Sequence, residues 1–170
     1  MILTKLIKTS GNQVSGLKWS LHLGAGFSKL SGILRVARKM KKIVETHLAP
    51  KPVGPYSQAV IAGKLVFASG QIAINPATNE LVENNIQKQT KQVLENIGAV
   101  LKAAGADFEN VIKTTVFLKN MNDFPAMNEI YQSYFETNSP ARATVEVSRL
   151  PKDVLVEIDC VAEITAEPLT

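Results

Sequence analysis

The sequence predicts an α+β fold for residues 40–170: one mixed β-sheet with two helices packed on one of its faces. Three patterns carry this reading. Two stretches repeat apolar residues at three- and four-residue steps, the period of a helix buried along one side. The closing stretch VLVEIDCVAEIT alternates, with Val154, Val156, Ile158, Cys160, Ala162 and Ile164 on one side, as a half-buried strand does. Strand patterns stand at both ends and helical ones between them, an order that segregates helices to one side of a sheet.

Taken in chain order, YSQAVIA from Tyr56 and LVFASG from Leu65 are two β-rich runs joined by Gly63-Lys64, a hairpin turn. Asn75-Pro76 and Thr78-Asn79 mark a loop. Ile86, Thr90, Val93, Leu94, Ile97, Val100, Leu101 and Ala104 form the apolar stripe of the first helix, and Gly105 supplies its C-cap. NVIKTTVFL, 110–118, is a third strand. Asn122 or Asp123 can cap a second helix with Pro125 in its first turn and Met127, Ile130, Tyr131, Tyr134 and Phe135 as its buried face. Pro140 ends that unit, ATVEVS forms a strand, and Leu150-Pro151 turns the chain into the last one. The outer side of that strand carries Leu155, Glu157, Asp159, Val161 and Glu163. Such a mixed face is either an assembly surface closed by symmetric copies or a solvated face with scattered apolar residues.

A chain of 170 residues with 45% hydrophobic and 20% charged residues has room for one domain with a substantial core. Its formal charge of +4 is unevenly spread. Residues 1–39 hold seven Lys or Arg and no acid, whereas residues 40–170 hold twelve bases against fifteen acids. The basic character therefore belongs to an N-terminal extension, and nucleic acid is not an expected partner of the folded part. Two readings of the extension stand. Its serines, bases and lack of acids suit an organellar targeting peptide, which would place the protein in the mitochondrion; alternatively translation starts at Met40, the leader is misassigned, and the protein is cytoplasmic. Its apolar run LHLGAGF is far short of the roughly 20 residues a membrane helix needs, so no membrane partner is expected.

Residue scarcity narrows the chemistry. Cys160 is the only cysteine, and His22 and His47 are the only histidines. Disulfide frameworks, cysteine-built zinc sites, Ser-His-Asp triads and multi-histidine metal clusters lack parts, so no metal is expected. His47, alone near the start of the folded part, reads as a surface residue. SPARATVEV poses a sharper question, because Arg142 enters a strand between two alanines that cannot shield it. It faces water, pairs with Glu146 or Glu157, or meets an anionic ligand.

GPYSQAV, LVFASGQI, KTTVFLKNMNDF, SPARATVEV and RLPKDVLVEIDCVA, in that order, resemble the Rid family, also called the YjgF or reactive intermediate deaminase family. The resemblance covers about Pro50 to Ile164. It implies a chorismate-mutase-like fold, a homotrimer whose sheets form a central barrel, clefts at the subunit interfaces, and no cofactor. The implied activity is hydrolysis of reactive enamines and imines, such as 2-aminoacrylate and 2-iminobutyrate, to 2-keto acids and ammonia. Residue by residue, it makes Arg142 the guanidinium fork for the substrate carboxylate, a geometry that lysine does not reproduce. Glu157 becomes the group that positions water and transfers protons. Tyr56 closes over the substrate, Ser69 and Gly70 offer hydroxyl and backbone contacts, and Asn128 joins them from the second helix. Many relatives carry cysteine two positions after the arginine, where this chain has Thr144. Rival readings are a non-catalytic sensor of keto or amino acids and, with less support, a ribonuclease or translation inhibitor, for which the folded part lacks a histidine pair and a basic groove.

Overall fold

The computed structural model describes residues 41–164; the basic extension, Met40 and the two readings attached to them lie outside the described residues. Six strands form one mixed sheet: β1 (Lys42–Val44), β2 (Ala59–Ala62), β3 (Leu65–Gln71), β4 (Val111–Leu118), β5 (Ala141–Glu146) and β6 (Val156–Glu163). Their spatial order is β1-β2-β3-β6-β4-β5, with β4 and β5 parallel and all other pairs antiparallel. Two helices, α1 (Ile86–Ala104) and α2 (Phe124–Gln132), complete the fold. The expected α+β arrangement is the one observed.

Connectivity explains why both helices share a face. β3 and β4 each pair antiparallel with β6, so they run parallel to each other, and β4 and β5 are parallel neighbours. Parallel strands require a crossover, and α1 and α2 supply the two crossovers. Both step in the same direction across the sheet, and the right-handed rule for such units then sets both helices on the same side. The core fills the space between. Val93, Leu94, Ile97, Val100 and Leu101 of α1, with Met127 of α2, meet Val156, Ile158, Cys160 and Ala162 of β6, all buried.

Local chemistry sets the ends of the elements. Asn85 caps α1 by accepting the Lys88 N–H at 3.0 Å. Gly105, at φ 82°, ends it in the left-handed region that favours glycine, and the Ala106 N–H reaches back to the Leu101 carbonyl at 2.9 Å, as expected for that cap. Gly63, at φ 66°, turns the β2–β3 hairpin.

One strand is not expected from the sequence, and three expectations need correction. β1 carries no periodic signal, because a three-residue strand is too short for alternation to show; its register places Val44 in the core and Ile43 on the outer face. β2 starts at Ala59, so Tyr56 lies in the loop before it and is exposed. The cap before α2 comes from Asn120, whose side chain accepts the Asn122 N–H at 3.0 Å and closes a 3₁₀ turn; Asp123 makes no capping bond. α2 itself ends at Gln132, and Tyr134 and Phe135 pack from the turns that follow.

Candidate active site

A β-bulge shapes one wall of a cleft. Along the β3–β6 ladder Ala68 pairs with Cys160, but the next pair is Gln71 with Ile158, so β3 holds one extra residue. Bulges re-aim side chains next to functional sites. Here Ser69 and Gly70 occupy the irregularity, and Glu157, one residue before Ile158 on β6, lies against Gly70. A Cβ at position 70 would stand 2.0 Å from Glu157 Oε1, so only glycine leaves the carboxylate its place. The cleft, of about 520 Å³, is lined by Tyr56, Ser69, Gly70 and Glu157 together with Pro50, Lys51, Val53, Gln58, Ile72, Ile74, Pro151 and Lys152.

Its polar groups have distinct proton inventories. The Ser69 hydroxyl donates to the Ser57 carbonyl at 2.7 Å, which leaves its lone pairs as acceptors. Tyr56 Oη accepts the Val53 N–H at 3.4 Å and keeps its own proton for donation. Glu157 forms no side-chain hydrogen bond or ion pair among the described residues. It is half-buried, and desolvation, reinforced by the charge of Asp159 two residues along the same side of β6, pushes its pKa up from the ordinary carboxylate value. A lone carboxylate with a raised pKa in a cleft is a candidate acid–base group.

Gln58, which pattern reading passed over, organises one wall. Buried to 1% exposure, it donates from Nε2 to the carbonyls of Ala49 (3.1 Å) and Pro50 (2.8 Å) and accepts the Thr46 N–H at 2.7 Å on Oε1. It thus ties the segment that carries Pro50 and Lys51 to the start of β2. On the other side Asn96 of α1 donates to the carbonyls of Ile72 and Ile74, holding the chain that leaves β3. A polar residue on an otherwise apolar helical face was the available signal for Asn96; Gln58 offered none.

Arg142 lies elsewhere. It pairs with Thr114 in the β4–β5 ladder. Thr114 is buried on the helix side, where its hydroxyl meets Tyr131 Oη of α2 at 2.7 Å. The Arg142 guanidinium accordingly stacks over the rings of Tyr131 and Phe124, at 4.6 Å and 5.5 Å from their centroids. Burial of the Tyr131 phenol raises its pKa, and the hydrogen bond with Thr114 and the charge of Arg142 oppose that shift. A second, more open pocket contains Arg142 with Asn128, Tyr131, Gln132, Glu136 and Ser139. Among the described residues Arg142 has no ion pair, so neither Glu146 nor Glu157 neutralises it; Glu146 instead accepts the Met121 N–H at 2.7 Å.

One chain therefore holds two partial sites. Tyr56, Ser69, Gly70 and Glu157 come together, and so do Arg142 and Asn128, but the two groups do not meet. Glu157 pairs with Phe117, which pairs with Val145, three residues from Arg142. At about 3.3 Å per residue and about 4.8 Å per strand, the two backbones stand on the order of 14 Å apart. Their side chains also leave opposite faces of the sheet, Arg142 with the helices and Glu157 away from them.

The remaining singled-out residues are quiet. Thr144 Oγ1 is buried without a hydrogen-bond partner among the described residues. Cys160 is buried in the core and its pKa is pushed up to about 12 by desolvation, then by Asp159, so the thiol is inert. His47 is exposed. Among the described residues no three carboxylate, thiol or imidazole groups come together to hold a metal ion, and no helix is long and apolar enough to cross a membrane.

Residues 46–164 match the model of the family described as endoribonuclease L-PSP. A RutC family protein of Synechocystis is 61% identical over 71% of this chain and 95% of its own length. The human 2-iminobutanoate/2-iminopropanoate deaminase is 47% identical over 72% of this chain and 90% of its own length. Among solved structures, a Rid family protein from Yersinia pestis superposes with a TM-score of 0.72 at 52% identity, covering 74% of this chain and all of that one. E. coli TdcF, crystallised with bound serine, superposes with a TM-score of 0.69 at 44% identity, covering 72% and 98%. The family match over residues 46–164 and the fold shared with a Rid protein at 52% identity show that the chain belongs to the endoribonuclease L-PSP family, the Rid or YjgF group.

Proposed function

We propose that this protein hydrolyses 2-imino acids and their enamine tautomers to 2-keto acids and ammonia, in clefts completed between copies of a homotrimer. The observation that carries the reading is the lone, half-buried Glu157 carboxylate lodged against Gly70, beside a hydroxyl that can donate and one that can accept. Deaminases of human, rat and mouse at 46–47% identity support it. The assembly part rests on the separation of Arg142 from Glu157 and on the outer sheet face, where Ile43, Val60, Phe67 and Val161 form one cross-strand apolar row.

The chemistry asks little of the protein. Water adds to the carbon of the protonated imine while Glu157 takes its proton; the C=N π electrons become the lone pair of a neutral carbinolamine nitrogen. Glu157 then returns that proton to the nitrogen, the carbinolamine hydroxyl gives its own proton to the freed Glu157 carboxylate as its electrons form the carbonyl, the C–N bond breaks, and ketone and ammonia leave, the last proton passing from Glu157 to solvent. An enamine enters by taking a proton at its β-carbon, which makes it the protonated imine. Arg142 of a neighbouring copy would hold the substrate carboxylate with two parallel hydrogen bonds, its guanidinium pre-oriented by Tyr131 and Phe124. A carboxyl with a raised pKa suits a shuttle that gives and takes protons near neutrality.

The test is ammonia release from 2-iminobutyrate generated in situ by an amino-acid oxidase. Acceleration by the parent, lost in both Arg142→Ala and Glu157→Gln, is expected; no acceleration overturns the reading. Co-expressing those two inactive variants tests the shared site, because random mixing rebuilds about a quarter of the clefts from one intact arginine and one intact glutamate. No recovery would overturn the cleft shared between copies. Serine in the E. coli relative favours a second reading, a cleft that binds small amino or keto acids without turnover. Binding of 2-oxobutyrate without ammonia release would establish it.

A further inference from the structure

The cleft holds two lysines that neither the fold nor the proposed hydrolysis uses. Lys51 follows the Gln58-anchored segment, and Lys152 sits in the turn that leads into β6; both are exposed along their stems and both line the cleft with Glu157. Neither has a carboxylate partner among the described residues, where the ion pairs are Lys88–Glu83, Lys91–Glu95 and Arg149–Asp153. The titratable groups facing the cleft are thus two ammonium groups, one phenol and a single carboxylate, Glu157, which is itself biased toward its neutral form.

The backbone at Lys152 is unusual. Lys152 and Asp153 both sit at φ 57°, two successive non-glycine residues in the left-handed region. Such conformations persist only where surrounding contacts over-determine them, and they cluster at ligand sites. The contacts here are specific. Arg149 holds Asp153 with two parallel hydrogen bonds, Nε to Oδ1 at 2.7 Å and a terminal nitrogen to Oδ2 at 3.0 Å. The carboxylate next to Lys152 in the chain is thereby engaged by Arg149, while Lys152 lines the cleft.

We infer that Lys51 and Lys152 form a second anion subsite in this cleft, and that the protein favours 2-imino acids whose side chain ends in a carboxylate over those with a neutral alkyl side chain. The inference rests on the imino-acid reading of the cleft and names its substrate class. The volume of about 520 Å³ leaves room beyond a four-carbon acid. Arg149 and Asp153 act as a positioning pair for Lys152. Two flexible ammonium groups meet a mobile terminal carboxylate as point charges, whereas the planar head of the substrate needs the arginine fork. Exposed charges of this kind are screened by salt, so the preference weakens as ionic strength rises.

The stable product keto acids serve as probes, in calorimetric titrations of the full chain with 2-oxoglutarate and 2-oxobutyrate at low and high salt. The parent is expected to bind 2-oxoglutarate about tenfold more tightly at low salt, with the ratio shrinking at high salt. Lys51→Met with Lys152→Met should bring that ratio close to one, and Asp153→Asn should lower it partway. Lys152→Gly, which removes the ammonium but accepts the left-handed backbone, should match Lys152→Met, separating charge from strain. Equal affinities in the parent, or a preference that survives the double substitution, overturn the subsite and leave the imine hydrolysis standing. Failure of the parent to bind either acid overturns both.

Discussion

At Gly70 the missing side chain is what lets the Glu157 carboxylate lie against β3, and the contact is with the far end of a flexible side chain. Gly70→Ala should therefore cost little stability, since Glu157 can rotate away, while the rate falls by about tenfold or more as the shuttle leaves its place. Thermal unfolding and ammonia release, measured together, check the split; a large drop in Tm with an intact rate would refute it. Glu157 also predicts a pH dependence. Its raised pKa sets the acid limb of activity above the ordinary carboxylate range, and Asp159→Asn, by removing the repulsion, should shift that limb to lower pH. The linked stability follows from the same direction. A carboxyl that binds its proton more tightly when folded contributes stability that is full below the unfolded pKa and lost as pH rises through the folded one. Glu157→Gln cannot ionise, so its Tm should gain on the parent across that window and stay ahead above it.

Among the elements, the segment from Thr46 to Pro50 has almost no regular structure, and one side chain holds it. Gln58 makes its bonds to that segment from a buried position. Gln58→Ala removes them and strands buried backbone carbonyls, a loss on the order of 2–3 kcal/mol, with a Tm drop of several degrees. Because Lys51 and Pro50 ride on that segment, substrate affinity should weaken as well. Gln58→Glu is the informative companion, since it keeps the acceptor for the Thr46 N–H and loses the donor to the Thr46, Ala49 and Pro50 carbonyls. The α2 platform behaves similarly. Its length is less important than the placement of Tyr131, whose ring supports Arg142 while its hydroxyl is anchored to Thr114.

For the whole molecule, the sheet presents one face to the helices and leaves the other with Phe67 at 46% and Val145 at 41% exposure. Phe67→Glu puts a charge in the middle of the apolar row without touching the core beneath the helices. Sedimentation velocity should show the parent as a trimer and this variant as a monomer, with ammonia release lost because Arg142 and Glu157 of one chain cannot reach one substrate. Arg142→Ala should remain trimeric. A monomeric parent that hydrolyses 2-iminobutyrate would sink the shared-cleft proposal.

The sequence by itself determined the elements with a repeat long enough to register: α1 with its Gly105 cap, the Gly63 hairpin, β4, and the alternation of β6 that separates Ile158 and Cys160 from Glu157 and Asp159. Local pattern suffices there because burial on one side of a regular element imposes its period on the residues. The family resemblance grouped Tyr56, Ser69, Gly70, Asn128, Arg142 and Glu157 as one site; one chain brings Tyr56, Ser69, Gly70 and Glu157 together and holds Asn128 and Arg142 in a different pocket. Tertiary structure decided what has no period. A three-residue edge strand, a cap moved to Asn120, the extra residue in β3 and the buried amide of Gln58 depend on partners distant in sequence. The split between Arg142 and Glu157 is of the same kind: neither residue's neighbours encode that β6 inserts between β3 and β4, and that insertion, with the pleat, sends the two charges to opposite faces of one sheet.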